Sequence, residues 1–338
     1  MMKFVFYLLL SVSVFFRAYA ADVADYSEFT RTVDAHISRI DEKFTITGVP
    51  GANITDFAKK YLEPNDKTHK AYSVKFLTTD DVTKADVDLT YFDDYKILSA
   101  LKDPKLMNKL NKKDLLTLEI AEKIIAKYIT KNMSEYEKIL TIHNYIVLSA
   151  KYDKFAAGNP ERANPDVFSA YGLLISRNAV CEGYARGMSL LLNMLDVETI
   201  VVSGTARKEP HAWNKVRIDS EWYNVDATFD SPLPYKKGVV SHEYFNVRDS
   251  DMVTHSWDKA LYPPANATKY NYFVYNNLVV NNFEDFKQLI ESGLKISDRV
   301  SVYVVGYSAS KYPLNFLYGK FSYYEPEHSN GVFTVEKR

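Results

Sequence analysis

Three residues in the order Cys181, His211, Asp226 have the types and spacing that covalent chemistry needs. A thiolate is a nucleophile, an imidazole can take and return its proton, and a carboxylate can hold the imidazole in one tautomer and orientation. Twenty-nine residues separate the first pair and fourteen the second. Cys181 is the single cysteine of the 338 residues, so no disulfide within the chain can claim it. A lone cysteine is otherwise read as a small buried hydrophobe, so its surroundings must decide between the two readings.

Those surroundings place it on a helix. Ala185, Met188, Leu191, Leu192 and Leu195 recur at helical spacing just after Cys181. The cysteine then falls in the first turn, where unpaired N–H groups and the positive end of the helix dipole favour thiolate over thiol. The same N–H groups could stabilise an oxyanion formed by thiolate attack on an acyl carbon. A structural cysteine would sit more naturally mid-helix, among the leucines.

The other two residues sit on a hairpin. His211 to Ile218 and Glu221 to Ala227 read as strands, joined at Asp219-Ser220. A two-residue turn fixes the register. Ile218 then faces Glu221, Arg217 faces Trp222, and Trp213 faces Asp226. Because side chains alternate with period two, His211, Trp213 and Asp226 share a face. His211 and Asp226 become diagonal neighbours, ~7–8 Å apart at the backbone, within reach of a side-chain hydrogen bond. A slip of one residue would separate them.

These segments resemble the transglutaminase-like superfamily of papain-type folds, in its bacterial secreted branch. The resemblance rests on Ser169-Ala170-Tyr171-Gly172, Val180-Cys181-Glu182-Gly183-Tyr184-Ala185, His211-Ala212-Trp213-Asn214 and Trp222-Tyr223-Asn224-Val225-Asp226. Tyr152-Asp153, Tyr244-Phe245 and His255 are similar to that branch too, and the whole covers about Ser134 to Asp258. Phe229 departs from it, standing where a tryptophan is expected. The resemblance implies an α+β fold, a helix bearing the nucleophile packed on an antiparallel sheet. It also implies a Cys181-His211-Asp226 catalytic triad working through a thioester on amide bonds of proteins or peptides, cell-wall peptides among them. The acyl group would pass to an amine or to water. The Cys181 N–H would supply part of the oxyanion hole, with Tyr171 or Asn178 as candidates for the second donor.

The rest of the chain is read as context. Lys3, the apolar run Phe4 to Phe16 and Arg17-Ala18-Tyr19-Ala20 form a signal peptide with cutting expected after Ala20. The run is shorter than the ~20 residues that span a bilayer, and no later segment is apolar enough. The mature protein is therefore expected to be secreted or at the cell surface. Four regions follow: 1–20 the signal, 21–103 an α+β accessory region, 104–264 the catalytic domain and 270–338 a small α+β region. Ser134 with Glu137 reads as a capping box opening a helix on which His143 is a packed, satisfied residue. Phe29, Val33, Ile37 and Asp41 line up with Phe286, Ile290, Leu294 and Asp298, which raises the expectation of a duplicated flanking module.

Composition excludes some classes. Lys+Arg 42 against Asp+Glu 43 gives a net charge of -1, with no basic excess to bind nucleic acid. No CxxC, no close histidine pair and no acidic loop of EF-hand spacing points to a metal, and no cofactor is expected. The competing reading is a non-catalytic surface or peptide-binding protein on the same scaffold.

Overall fold

A computed structural model of the chain describes residues 22–61, 71–78, 82–232, 236, 238–317, 321–325 and 331–338. The signal segment lies outside these residues, as do Leu62 and Pro64 near the end of the second helix. The chain divides into two compact units, the first ending at Tyr91 and the second beginning at Phe92.

The first unit opens with α1 (Tyr26–Ser38), whose N-cap Asp25 accepts the Glu28 N–H at 2.9 Å. Phe29, Val33 and Ile37 are buried along one face, as the helical spacing of the sequence requires. Next come β1 (Lys43–Thr47), α2 (Ile54–Tyr61), β2 (Ala71–Thr78) and β3 (Lys84–Tyr91), forming an antiparallel sheet of order β1-β3-β2. Phe29 is fully buried, and its ring packs near Phe57 at 6.0 Å and Phe76 at 5.6 Å.

In the second unit, α3 (Asp93–Lys102), α4 (Lys112–Tyr128) and α5 (Glu135–Ser149) lead to a short parallel pair, β4 (Lys151–Tyr152) with β5 (Asn178–Ala179). Between those two strands lies α6 (Lys154–Gly158). The Ser134–Glu137 capping box is present at α5. After α7 (Cys181–Asn193) come β6 (Thr199–Ala206), β7 (Glu209–Ile218), β8 (Glu221–Val225), β9 (Phe245–Val247) and β10 (His255–Ser256). They make one antiparallel sheet of order β10-β6-β7-β8-β9. Its core joins Leu190, Leu191 and Leu192 of α7 with Ile139, Ile142 and Ile146 of α5 and with Val216 and Val225 of the sheet. The cysteine-bearing helix packed on an antiparallel sheet is the architecture the sequence implies.

Helix α3, which the sequence places in the accessory region, packs with the second unit. The reason is Asp93. Its buried carboxylate accepts the N–H groups of Ala170 at 3.1 Å and Tyr171 at 2.7 Å, just upstream of the cysteine. That tie across the sequence is invisible to local pattern, and it moves the break to Tyr91.

The chain ends with α8 (Tyr272–Tyr275), β11 (Val279–Val280), α9 (Phe283–Ile296), β12 (Arg299–Val304), β13 (Phe321–Tyr324) and β14 (Val332–Lys337). The order β12-β14-β13 repeats the β1-β3-β2 order of the first unit, with antiparallel pairing throughout. The details repeat as well. Asn282 caps α9 through the Asp285 N–H at 3.0 Å, as Asp25 caps α1. The Val305 N–H donates to the Val280 carbonyl at 2.9 Å, as Val49 does to Val23 at 3.1 Å. Phe286 is fully buried, with the Phe316 ring at 6.1 Å and the Phe333 ring at 5.2 Å. The two ends thus share a helix and three antiparallel strands in the same order; β11 adds a parallel strand beside β12, and α2 has no counterpart between β12 and β13 among the described residues.

Residues 22–91 have their own core, and a compact unit with its own core can fold alone. Expressed by itself, this segment is expected to melt in one cooperative transition followed by circular dichroism. Phe29→Ala should remove that transition, since such a truncation costs about 3–5 kcal/mol, much of what so small a core supplies. A broad, non-cooperative melt of the parent segment would contradict the division.

Candidate active site

The sheet places the histidine and the aspartate. Two two-residue turns set its central strands: Arg207 and Lys208 (φ 51° and 72°) join β6 to β7, and Asp219 and Ser220 (φ 48° and 70°) join β7 to β8. Positive φ at both turn residues is the type I′ geometry that suits the strand twist. Pairs Ile218 with Glu221 and Arg217 with Trp222 form as the turn dictates, and β8 ends at Val225, two residues earlier than the sequence suggests. Asp226 leaves the ladder after it, with its N–H on the Tyr244 carbonyl at 3.0 Å.

His211 Nε2 and Asp226 Oδ2 lie 2.7 Å apart, both buried. The other oxygen of that carboxylate, Oδ1, accepts the N–H groups of Thr228 and Phe229, each at 3.0 Å. Burial alone would raise the Asp226 pKa, but the charge and hydrogen bond of His211, then those of His255, hold it below the carboxylate range. Burial would lower the His211 pKa; the Asp226 charge and hydrogen bond, reinforced by the Cys181 sulfur, push it up to about 10. The sulfur therefore lies within hydrogen-bonding reach of the ring. With Nε2 held by Asp226, Nδ1 is the nitrogen left to face it.

Helix α7 places the cysteine. Cys181 is its first residue and is partly exposed. The N-cap, Val180, offers no side-chain cap, so the N–H groups of the first turn keep their polarity for an incoming anion. Gly183 permits the close fit of this turn: a Cβ there would stand 2.5 Å from the Val167 carbonyl oxygen and 2.8 Å from the Ala179 Cβ. Further along, Arg186 bonds Glu182 at 2.8 Å and Asp94 at 3.4 Å, with its guanidinium over the Phe92 ring at 3.5 Å. Asn214 donates to the Ala185 carbonyl at 3.0 Å, which ties α7 to β7.

Of the sequence candidates for the second oxyanion donor, the Asn178 amide donates to Asp153 Oδ2 at 2.5 Å, and the Tyr171 ring lies under the Lys113 ammonium, 4.9 Å from the ring centroid. The group found beside the cysteine is Tyr152. It pairs with Ala179 in the β4–β5 ladder, two residues before Cys181. Its phenol pKa is raised, by burial first and then by the charges of Cys181 and Asp226. Only the Tyr152-Asp153 similarity hinted at it.

His255 is the other residue that chemistry-first reading passed over. Its Nε2 lies 3.0 Å from the same Asp226 Oδ2 that His211 uses. Gly204 lets β10 come this close, since a Cβ on it would sit 2.3 Å from the Ser256 carbonyl oxygen. His211, Asp226 and His255 offer three ligand-type atoms within 4.8 Å of one another. At 2.7 and 3.0 Å from Oδ2, both imidazoles stand at hydrogen-bond distance from the carboxylate.

A second buried network holds the loop after Asp226. His143, fully buried as the sequence leads one to expect, has Nε2 3.0 Å from Asp230 Oδ2. Asp230 Oδ1 accepts the Tyr244 N–H at 3.0 Å. Asn144 Oδ1 faces His143 Nδ1 at 3.1 Å and His242 Nε2 at 2.8 Å.

Part of the chain is similar to known proteins. Residues 122–227 match the family model described as Transglutaminase-like superfamily. This stretch is a transglutaminase-like domain. The human kyphoscoliosis peptidase is 23% identical over 153 residues, 40% of this chain and 23% of its own. The mouse kyphoscoliosis peptidase is 24% identical over 122 residues, 32% of this chain and 18% of its own. The chain thus spans about a quarter or less of the length of these relatives. A crystal structure of a TGase aligns with a TM-score of 0.32 at 21% identity, over 47% of this chain and 44% of the other.

The His242 environment gives a pH prediction. Its pKa is pushed down to about 2, first by burial and then by the His143 charge. An unfolded-chain imidazole takes up a proton near pH 6.5 and folded His242 does not, so acid favours the unfolded state from about pH 6.5 downward. The contribution reaches at most about 1.4 kcal/mol per pH unit. His242→Gln keeps a donor for Asn144 and removes the titration. Denaturant melts at pH 7 and pH 5 should show a smaller acid loss in this variant; equal losses would place the acid sensitivity elsewhere.

Proposed function

We propose that this protein is an extracytoplasmic cysteine-nucleophile enzyme that transfers acyl groups from amide bonds of proteins or peptides through a thioester. The observation that carries the reading is the chain of contacts from Cys181, partly exposed at the start of α7, to His211 and on to Asp226 at 2.7 Å. A His211 pKa near 10 keeps the ring protonated at neutral pH, and a cation beside a sulfur stabilises its thiolate form.

In the proposed reaction the Cys181 sulfur attacks the amide carbon. The oxyanion is met by the Cys181 N–H at the start of α7 and by the Tyr152 hydroxyl. His211 delivers its proton to the departing amine, leaving the thioester. An amine or water then attacks, His211 takes that nucleophile's proton, and the sulfur leaves. Asp226 keeps His211 Nε2 protonated and the ring in place throughout. The chain's similarity to a protein named a peptidase favours peptides as substrates. The signal-like residues 1–20 support an extracytoplasmic site. Among the described residues no helix is long and apolar enough to cross a membrane.

Iodoacetamide should alkylate Cys181 rapidly at pH 7. His211→Ala should slow this roughly thirtyfold, the ratio of a full thiolate to the fraction carried by an ordinary thiol of pKa ~8.5. Tyr152→Phe should leave alkylation alone yet lower kcat by about 10²–10³, the cost of losing one oxyanion donor. Incubation with a glutamine-containing protein and a labelled amine separates transamidation from hydrolysis by whether label is incorporated or peptide is cut. A cysteine that reacts equally slowly with and without His211 would leave a binding scaffold instead.

Export has its own check. N-terminal sequencing of protein recovered outside the cytoplasm should begin at Ala21, and intact Met1 on cytoplasmic protein would refute export.

A further inference from the structure

We infer that His255 is a positioning residue for His211, clamping Asp226 from the opposite side and sharing its Oδ2. The inference rests on the proposed role of His211 as the partner of Cys181.

The carboxylate of Asp226 is enclosed by four donors. Two backbone N–H groups, of Thr228 and Phe229, fix Oδ1. Two imidazoles, His211 at 2.7 Å and His255 at 3.0 Å, fix Oδ2. With all four in place the carboxylate cannot rotate without breaking bonds that no buried water is needed to replace. An ionised carboxylate only accepts, so His255 Nε2 carries the proton. His255 Nδ1 lies 3.1 Å from Thr254 Oγ1.

With the proton on Nε2, a neutral His255 leaves Nδ1 able to accept from the Thr254 hydroxyl. Packing holds the ring as well: its centroid is 4.7 Å from Phe229 and 5.1 Å from Trp213.

This arrangement has an electrostatic consequence. An oxygen serving two N–H donors stabilises each less than it would one alone. His255 therefore restrains the basicity that Asp226 confers on His211, and a less basic His211 returns its proton more readily to a leaving amine. The titratable or charged groups around the pair are Cys181, Tyr152, Asp226, Asp230, Glu243, Tyr244 and Arg207, whose guanidinium lies over the Phe229 ring at 5.3 Å. None is altered by the substitutions below.

The test uses the full chain, with alkylation of Cys181 by iodoacetate followed from pH 5 to pH 11. The anionic reagent reports the His211 proton through the alkaline limb of the profile. His255→Phe removes the donor and keeps a ring; His255→Gln restores an N–H. In H255F the alkaline limb should move up by on the order of one pH unit, and kcat in the acyl-transfer assay should fall at least about tenfold with KM unchanged. H255Q should recover both. An unmoved limb and kcat in H255F would overturn the inference, as would equal losses in H255F and H255Q. If H255F does not fold, the 15N spectrum of histidine-labelled wild type decides: His255 should appear as Nε2–H, and the Nδ1–H tautomer would overturn it. Failure of the underlying reading shows separately, as wild-type alkylation that is indifferent to His211→Ala, and it removes both proposals.

Discussion

A single buried carboxylate organises this site. Asp226 carries a charge in a place water does not reach, and an unpaired charge there would be prohibitively costly. Every structural feature around it supplies a donor or holds one still. The loop that follows it curls so that two N–H groups meet Oδ1. The hairpin register brings His211 to Oδ2, and β10 brings His255 to the same atom. The folded state and the poised imidazole are therefore products of one interaction. Asp226 stays ionised because it is surrounded, and His211 stays charged because Asp226 is ionised.

The cysteine reaches this cluster by an independent route. Nothing in the sheet fixes where α7 begins. That is set by Gly183, which lets the first turn lie against the Val167 backbone, and by Asp93, which holds the segment at Ala170 and Tyr171. Asn214 and Arg186 then lock the helix body. Supporting bonds on the helix side and on the sheet side thus fix where the cysteine stands relative to the Asp226 cluster.

What the sequence disclosed follows the range of the interactions. The pairing of His211 with Asp226 was legible because a two-residue turn is a local signal with a long-range consequence: once Asp219-Ser220 turns, the two side chains come within reach of one another. The capping box at Ser134 and the stripe of Phe29, Val33 and Ile37 are local in the same way. Tyr152 and His255 were not legible as site residues. Each is brought in by pairing with a distant strand, β5 for one and β6 for the other, and no pattern in their own neighbourhood specifies the partner. Asp93 hid for the same reason.

The flanking modules are a different matter, since their likeness is visible both in spacing and in the order of one helix and three strands. A short helix laid on three strands has a core of only a few large side chains, so position and size at those sites are narrowly constrained while the surface is free to drift. That is the pattern seen: Phe29, Val33 and Ile37 correspond to Phe286, Ile290 and Leu294, and the caps Asp25 and Asn282 keep the same function with different side chains. Every side chain placed in the cysteine cluster, by contrast, lies between Tyr152 and His255. The constraint that preserves the modules is packing, and the constraint that shapes the cluster is charge. The two have left separate marks on the sequence, which explains why a motif search finds one and a periodicity search finds the other.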